Sequence, residues 1–223
     1  MPSYSTVARR AADLSVALGA LPRATALHRV IDASGVKVYG KGEGKVRVPG
    51  WSKRRTWGKL PLAVDEATGE IVAAGASEAG VSDDKVLPEL MAQVEGAIRQ
   101  VSADGASDKR PCYDALAERG ATAGIPPRRD AKSWPHGNCA GAPWQREENL
   151  RAIRQKGRRR WKHDSGYPRR SLAEPTFFRG KTLCGPTLHA RAFPQQATEL
   201  FLTAAALTRM TQLGMPDSYR LAA

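Results

Sequence analysis

No stretch of the 223 residues approaches the roughly 20 consecutive apolar side chains needed to cross a bilayer. The opening MPSYSTVARRAADL has no long apolar core, so it does not read as a secretory signal either. Cysteine is scarce as well. Three residues, Cys112, Cys139 and Cys184, are odd in number and far apart, which excludes a disulfide framework and is read as reduced, partly buried thiols. His136 and Cys139 are close in sequence, but no CxxC or HxxxH partner accompanies them, so a zinc site is not expected. Together these absences point to a cytoplasmic protein. Acids are also in short supply: Asp and Glu number 22 against 35 Lys and Arg, a net charge of +13.

Such an excess points to a polyanionic partner, because phosphates neutralised by Lys and Arg release their counterions and so drive association. The bases cluster in SKRRTWGK at 52–59 and in KGRRRWK at 156–162, and Trp51, Trp57 and Trp161 interleave with them. That mixture suggests nucleic acid. A hydrophobic fraction of 41% and a charged fraction of 26% describe a globular chain long enough for one sizeable core.

Residues 1–26 carry a short apolar pattern (Val7, Leu14, Ala17, Leu18) that predicts one helix. LHRVIDASG, at 27–35, is a β-branched run ending in an acid and a turn. KLPLAVD and EIVAAGAS flank EATG and predict two strands joined by a short turn. Pro61 removes a ladder donor from the first of these, so that strand is expected at an edge or at a bulge. The segment 81–101, VSDDKVLPELMAQVEGAIRQV, predicts a helix with Val86, Leu87, Leu90, Met91, Val94, Ala97, Ile98 and Val101 on one face. Ser82, Asp83 or Asp84 is expected to cap it. VSADGAS then reads as a strand, CYDALAERG as a helix closed by Gly120, and TAGIPP as a further short strand. Residues 126–146 are expected to form a loop, 147–161 a helix, and 195–214 an apolar helix stopped by Gly214. Three strands, helix, strand, helix, strand, then helices is the order of an α/β, RNase H-like mixed sheet, antiparallel strands first and parallel strands after, with helices on its faces.

Two acids stand out on that plan. Asp32 in VIDASG and Asp104 in VSADGAS each end a predicted strand, and adjacent strands would bring them together beyond one end of the sheet. Clustered carboxylates repel one another and tend to hold protons or cations. The bland alternative for either residue is an Asx turn or a helix cap. Asp65 belongs to the hairpin turn and is read as structural. A third acid arrives in YPRRSLAEPTFFRGK, 167–181, where Tyr167, Arg170, Glu174 and Lys181 are offset by 3, 7 and 14 residues. On an α-helix these fall within an arc of roughly 60°.

Asp32, Asp104 and a Tyr-x2-Arg-x3-Glu-x6-Lys segment together resemble the bacterial insertion-sequence transposases of the DDE type, in particular the IS-four/IS-five-like group. VIDASGVKVYG, SKRRTWGKLPLAVDEATGEIVAA, VSADGASDKRPCYDALAERG and LTRMTQLGMP resemble the same group, so the likeness runs over residues 27–218. It implies a catalytic domain across that span, with Asp32, Asp104 and Glu174 as a triad binding two Mg²⁺ ions, with Mn²⁺ as the implied substitute. It implies strand cleavage and strand transfer at transposon ends. Tyr167, Arg170 and Lys181 would grip phosphates, with Lys53, Arg54 and Arg55 on the DNA flank. DNA ends, target DNA and a second copy of the protein, or a full-length transposase, are the implied partners, with no membrane, and the setting would be the nucleoid. Members of the group carry a helical DNA-recognition domain ahead of the catalytic one; residues 1–26 are too short to replace it and read as a helical remnant or linker. Pro175, directly after Glu174, predicts a kink in the third-acid helix. Two other functions stay open at this point: a transposase remnant that only binds DNA or inhibits, and an RNase H-type nuclease that needs the acids but not the basic stripe.

Overall fold

The computed structural model describes residues 3–21, 27–38, 57–78, 80–134 and 144–214. Helix α1 (Tyr4–Ala11) precedes the sheet, whose spine is β1 (Leu27–Val38). Antiparallel to β1 runs β2 (Trp57–Asp65), followed by β3 (Ile71–Ala74) and the two-residue β4 (Ser77–Glu78), both antiparallel to β2. After α2 (Asp83–Gln93) the chain enters β5 (Ile98–Ser102), parallel to β1; α3 (Arg110–Glu118) then leads to β6 (Thr122–Gly124), parallel to β5. Helices α4 (Gln145–Lys156) and α5 (Arg158–Asp164), a 3-10 helix at Tyr167–Leu172 and α6 (Ala173–Leu183) follow. A short β7 (Thr187–Leu188), parallel to the far end of β1, and the long α7 (Phe193–Gln212) complete the described chain. The order β3-β2-β1-β5-β6, antiparallel on one side of β1 and parallel on the other, is an RNase H-like α/β sheet.

Both faces of the sheet are covered. Ile31, Ala63, Val101 and Ala123 pack against Leu87, Leu90 and Met91 of α2 and Leu116 of α3. Leu60, Leu62 and Val64 pack against Leu200, Ala204 and Leu207 of α7. Each such fully buried leucine contributes about 1.5–3 kcal/mol. Strand β1 is buried on both faces from His28 to Ile31, then opens from Asp32 to Gly35. That opening is where the site lies. Among the described residues, no helix is long and apolar enough to cross a membrane.

Several expectations need correction. The predicted 81–101 helix stops at Gln93: Val94 is extended and Gly96 takes a positive φ of 77°. Ile98 and Val101, assigned to the helix face, instead belong to β5 and bury into the sheet. Apolar residues spaced by three satisfy a helix, yet Ile98 and Val101 bury here on a strand flanked by helices on both faces. The N-terminal helix covers only 4–11, and Leu14 is exposed. Of the two settings expected for Pro61, an edge or a bulge, β2 is not an edge but is irregular on its β3 side. Its Pro61 stands opposite the interruption between β3 and β4, where Gly75 N–H donates to the Pro61 carbonyl at 2.9 Å. The pairing with β3 also shifts register between Ala63 and Val64. The helix expected over 147–161 breaks at Gly157, whose φ of 81° and ψ of 152° lie in a region open essentially to glycine alone. Trp161, read as interleaved with bases for nucleic acid, is buried, and its indole N–H donates to Asn149 Oδ1 at 3.2 Å. Lys53, Arg54, Arg55, Trp51, His136 and Cys139 lie outside the described residues.

Candidate active site

Strand register explains how the two aspartates meet. In the parallel β1–β5 pair Val30 stands beside Ser102. Two residues further along each chain are Asp32 and Asp104, on the same face because strand side chains alternate. Asp32 is still in β1, whereas Asp104 has just left β5 and caps a short 3-10 turn, accepting from Ala106 N–H at 3.0 Å. Asp104 thus performs the capping role considered for it and also stands beside Asp32.

The 3-10 helix lies over this strand pair. Its Arg170 donates to Asp32 Oδ1 at 3.0 Å, both side chains being about one-fifth exposed (23% and 21%). Burial pushes the Asp32 carboxyl above the usual range; Arg170 and the Ala33 amide, at 3.0 Å, pull it back, and the Asp104 charge pushes it up again. Arg170 feels the converse. Burial opposes its charge, but Asp32, Tyr167, Asp104 and Glu174 outweigh burial and hold its pKa above the ordinary value. Burial raises the Tyr167 hydroxyl, which Arg170 counters. One cation is therefore shared by all the candidate acids.

The segment 167–181 is not the single α-helix expected. Tyr167–Leu172 is a 3-10 helix, and α6 begins only at Ala173. Residues three apart align on a 3-10 helix, so Tyr167 and Arg170 stay on one side across the change of winding, and Arg170 reaches Asp32. Lys181 donates to Ser34 Oγ at 2.7 Å, again on the Asp32 face of β1. Glu174 sits exposed in the first turn of α6. Among the described residues, no group of three or more His, Cys, Asp or Glu side chains gathers at metal-binding spacing. The structure thus brings Asp32, Asp104, Tyr167 and Arg170 together, with Lys181 two residues along the strand and Glu174 within the field of Arg170.

Asp65 is structural, as expected: its Oδ1 accepts from Ala67 N–H at 2.7 Å in the hairpin turn, and its other oxygen pairs with Arg29. Sequence reasoning missed Ser34, whose period-two spacing from Asp32 is a usable signal. It also missed Glu66, His28 and Ser102, which nothing in the local sequence marks, and saw Arg169 only as one of the bases of the 167–181 segment.

Paired acids on adjacent parallel strands of an RNase H-like sheet, one midway along β1 and one just past β5, beside a basic helical segment, fit the scaffold of DDE transposases. The chain belongs to the Transposase DDE domain family, whose model matches residues 23–209; a second model of the same description matches residues 1–41. Among solved structures it is similar to the piggyBac transposase in a synaptic complex with hairpin DNA, at 13% identity and a TM-score of 0.49, over 84% of this chain and 47% of that one. The chain therefore spans about half the length of that transposase.

Proposed function

We propose that residues 27–218 form a catalytic domain that cuts and joins DNA strands, with Asp32, Asp104 and Glu174 as its metal-binding acids. The observation that carries this reading is the Asp32–Asp104 pair: two hard oxygen donors side by side, half-buried, with one arginine as counter-charge. Such a donor set suits Mg²⁺, or Mn²⁺ in its place. When bound, a pair of these ions supplies Lewis acidity at the phosphate and an activated attacking oxygen. The chain's own residues do the rest. Asp32 and Asp104 hold negative charge where desolvation makes it costly unless a cation is near. Glu174 joins them from α6. Arg170 and Tyr167 bind phosphate oxygens beside the scissile bond, and Lys181 does so from the next turns of α6. Lys53, Arg54 and Arg55 contact the flanking duplex. DNA ends and target DNA are the partners, and because two ends must be joined, two copies of the chain act together. Its place in a bacterial cell is the cytoplasm, on the nucleoid.

The competing reading is a DNA-binding protein without chemistry. It draws support from Arg170, which already satisfies Asp32, and from Glu174 standing exposed. Strand transfer from a pre-nicked duplex into a supercoiled plasmid separates the two. Asp32→Ala and Glu174→Ala should each lower the Mg²⁺-dependent rate by about 10⁴-fold while leaving salt-sensitive duplex binding within about twofold. Wild type and both variants equally silent, with DNA binding intact, would favour the binding protein.

A further inference from the structure

The 3-10 helix carries two adjacent arginines that reach in different directions. Arg170 goes to Asp32. Arg169 pairs with Oε1 of Glu66, the first residue after β2 in the hairpin turn. Glu66 is only 10% exposed, and its Oε2 lies against Nδ1 of the buried His28. Through Nε2, His28 meets Ser102 Oγ at 2.8 Å. Ser102 ends β5, two residues before Asp104. Four side chains thus form a continuous polar line from the 3-10 helix, through the start of β1, to the base of the loop bearing Asp104. A second tie runs parallel to it: Gln100 Nε2 donates to the Ser165 carbonyl at 2.7 Å, just ahead of the same helix.

The chemistry of the line permits one arrangement. Burial, reinforced by the charges of Arg99 and Arg169 and opposed by Asp65, lowers the His28 pKa to about 4, so the ring is neutral at physiological pH. A neutral imidazole has one N–H and one acceptor nitrogen. Carboxylate Glu66 can only accept, so the tautomer that avoids repulsion at this close contact carries its proton on Nδ1 and leaves Nε2 to accept from the Ser102 hydroxyl. Glu66 in turn accepts from Arg169. A mostly buried carboxylate without that guanidinium would be left under-compensated, unlike one partner of an exposed pair.

Serine, histidine and glutamate in a row can also activate a nucleophile. That role is closed here. Ser102 has no exposed surface, and a Cβ added to Gly124 would fall 2.6 Å from its Oγ, so no substrate reaches the hydroxyl. What remains is mechanical.

We infer that Arg169, Glu66, His28 and Ser102 are positioning residues that pin the 3-10 helix across β1 and β5, so that Arg170 and Tyr167 face Asp32 and Asp104. Its catalytic consequence rests on the proposed DNA chemistry; its geometry does not. Two measurements on the full chain keep them apart. The first is hydrogen exchange without metal or DNA. Glu66→Gln and the mostly exposed Arg169→Gln should each raise exchange across 167–172 about tenfold, the double variant no further, with α7 unchanged. The second is strand transfer, where each variant should lower kcat about tenfold and leave KM for DNA within about twofold. Glu118→Gln, on exposed α3 surface, should alter neither. Unchanged exchange across 167–172, additive effects in the double variant, or a raised KM with kcat preserved would overturn the relay. A wild type without strand transfer whose exchange still responds as expected would keep the relay and remove the chemistry.

Discussion

Arg170 sets the electrostatics of the site. Its guanidinium, 3.0 Å from Asp32, answers two neighbouring carboxylates that would otherwise repel each other in a half-desolvated setting. Unit charges at that separation attract by about 5 kcal/mol at the effective dielectric of a protein surface, enough to compete with a divalent ion for the same oxygens. A metal at Asp32 and Asp104 must therefore displace the guanidinium, which becomes available to a phosphate. Arg170→Gln should then raise the affinity for Mn²⁺ in the absence of DNA by about tenfold, or 1.4 kcal/mol, and weaken binding to DNA. The same change removes the group that pulls the Asp32 carboxyl down. Its pKa rises further, so the gain in metal affinity should shrink as the pH falls toward the carboxylate range. Direct Mn²⁺ titration followed by paramagnetic resonance measures it; equal affinity in variant and wild type would show that Arg170 does not occupy the ion's place. At this scale the sequence was informative wherever a residue's role follows from its position along a strand. Asp32 and Asp104 qualify, and so does Asp65 as a turn residue. Glu66, His28 and Ser102 could not be found, because their meeting depends on the β1–β5 register and on where a 3-10 helix lands.

Elements were legible where one periodicity held throughout. The strands beginning at 27, 57 and 71, helix α3 closed by Gly120 and helix α7 stopped before Gly214 follow from the pattern of apolar residues and the position of glycine, though β1 runs on to Val38 through the turn expected at 33–35. They failed where two regimes meet. The 81–101 segment joins a helix to a strand through Gly96, and 167–181 joins a 3-10 helix to an α-helix without any breaker in the sequence. The second junction changes the meaning of Pro175. Inside a continuous helix starting near Tyr167 it would cost about 3 kcal/mol and kink the chain. Since α6 starts at Ala173, Pro175 lies in its first turn, where proline is tolerated better than in a helix interior. Pro175→Ala should change unfolding free energy by less than about 1 kcal/mol and leave strand transfer unaltered. Urea unfolding and the plasmid assay test this together. A gain of several kcal/mol, or faster chemistry, would mean that the proline strains the helix after all.

For the whole molecule, part of the net charge of +13 has a location among the described residues. Lys156, Arg159 and Arg160 are exposed at the elbow where Gly157 separates α4 from α5. Helix α5 packs on the 3-10 helix: Trp161 lies 6.1 Å from the Tyr167 ring, and Lys162 Nζ stands 5.0 Å above that ring. The elbow is therefore continuous with Arg169 and Arg170, and a duplex laid along it would lead toward the acid pair. The sequence displayed the cluster plainly but not its orientation, because Trp161 reads equally well as a stacking platform and as the core residue it is. Weak restraints hold these bases at present. Lys156 and Arg160 are 3.9 and 3.6 Å from the exposed Asp164, pairs worth little in water, so phosphates can claim them at small cost. Replacing Lys156, Arg159 and Arg160 with glutamine should lower the slope of log K against log salt by about 0.9 for each phosphate no longer neutralised, roughly two to three phosphates in all. Affinity should fall uniformly across duplex sequences, since bonds to phosphate carry no base information. The rate at saturating DNA should stay as in wild type, because the elbow feeds the site without touching it. Fluorescence anisotropy over a salt series reads the slope, and an unchanged slope would mean that the duplex approaches the acids from another side of the sheet.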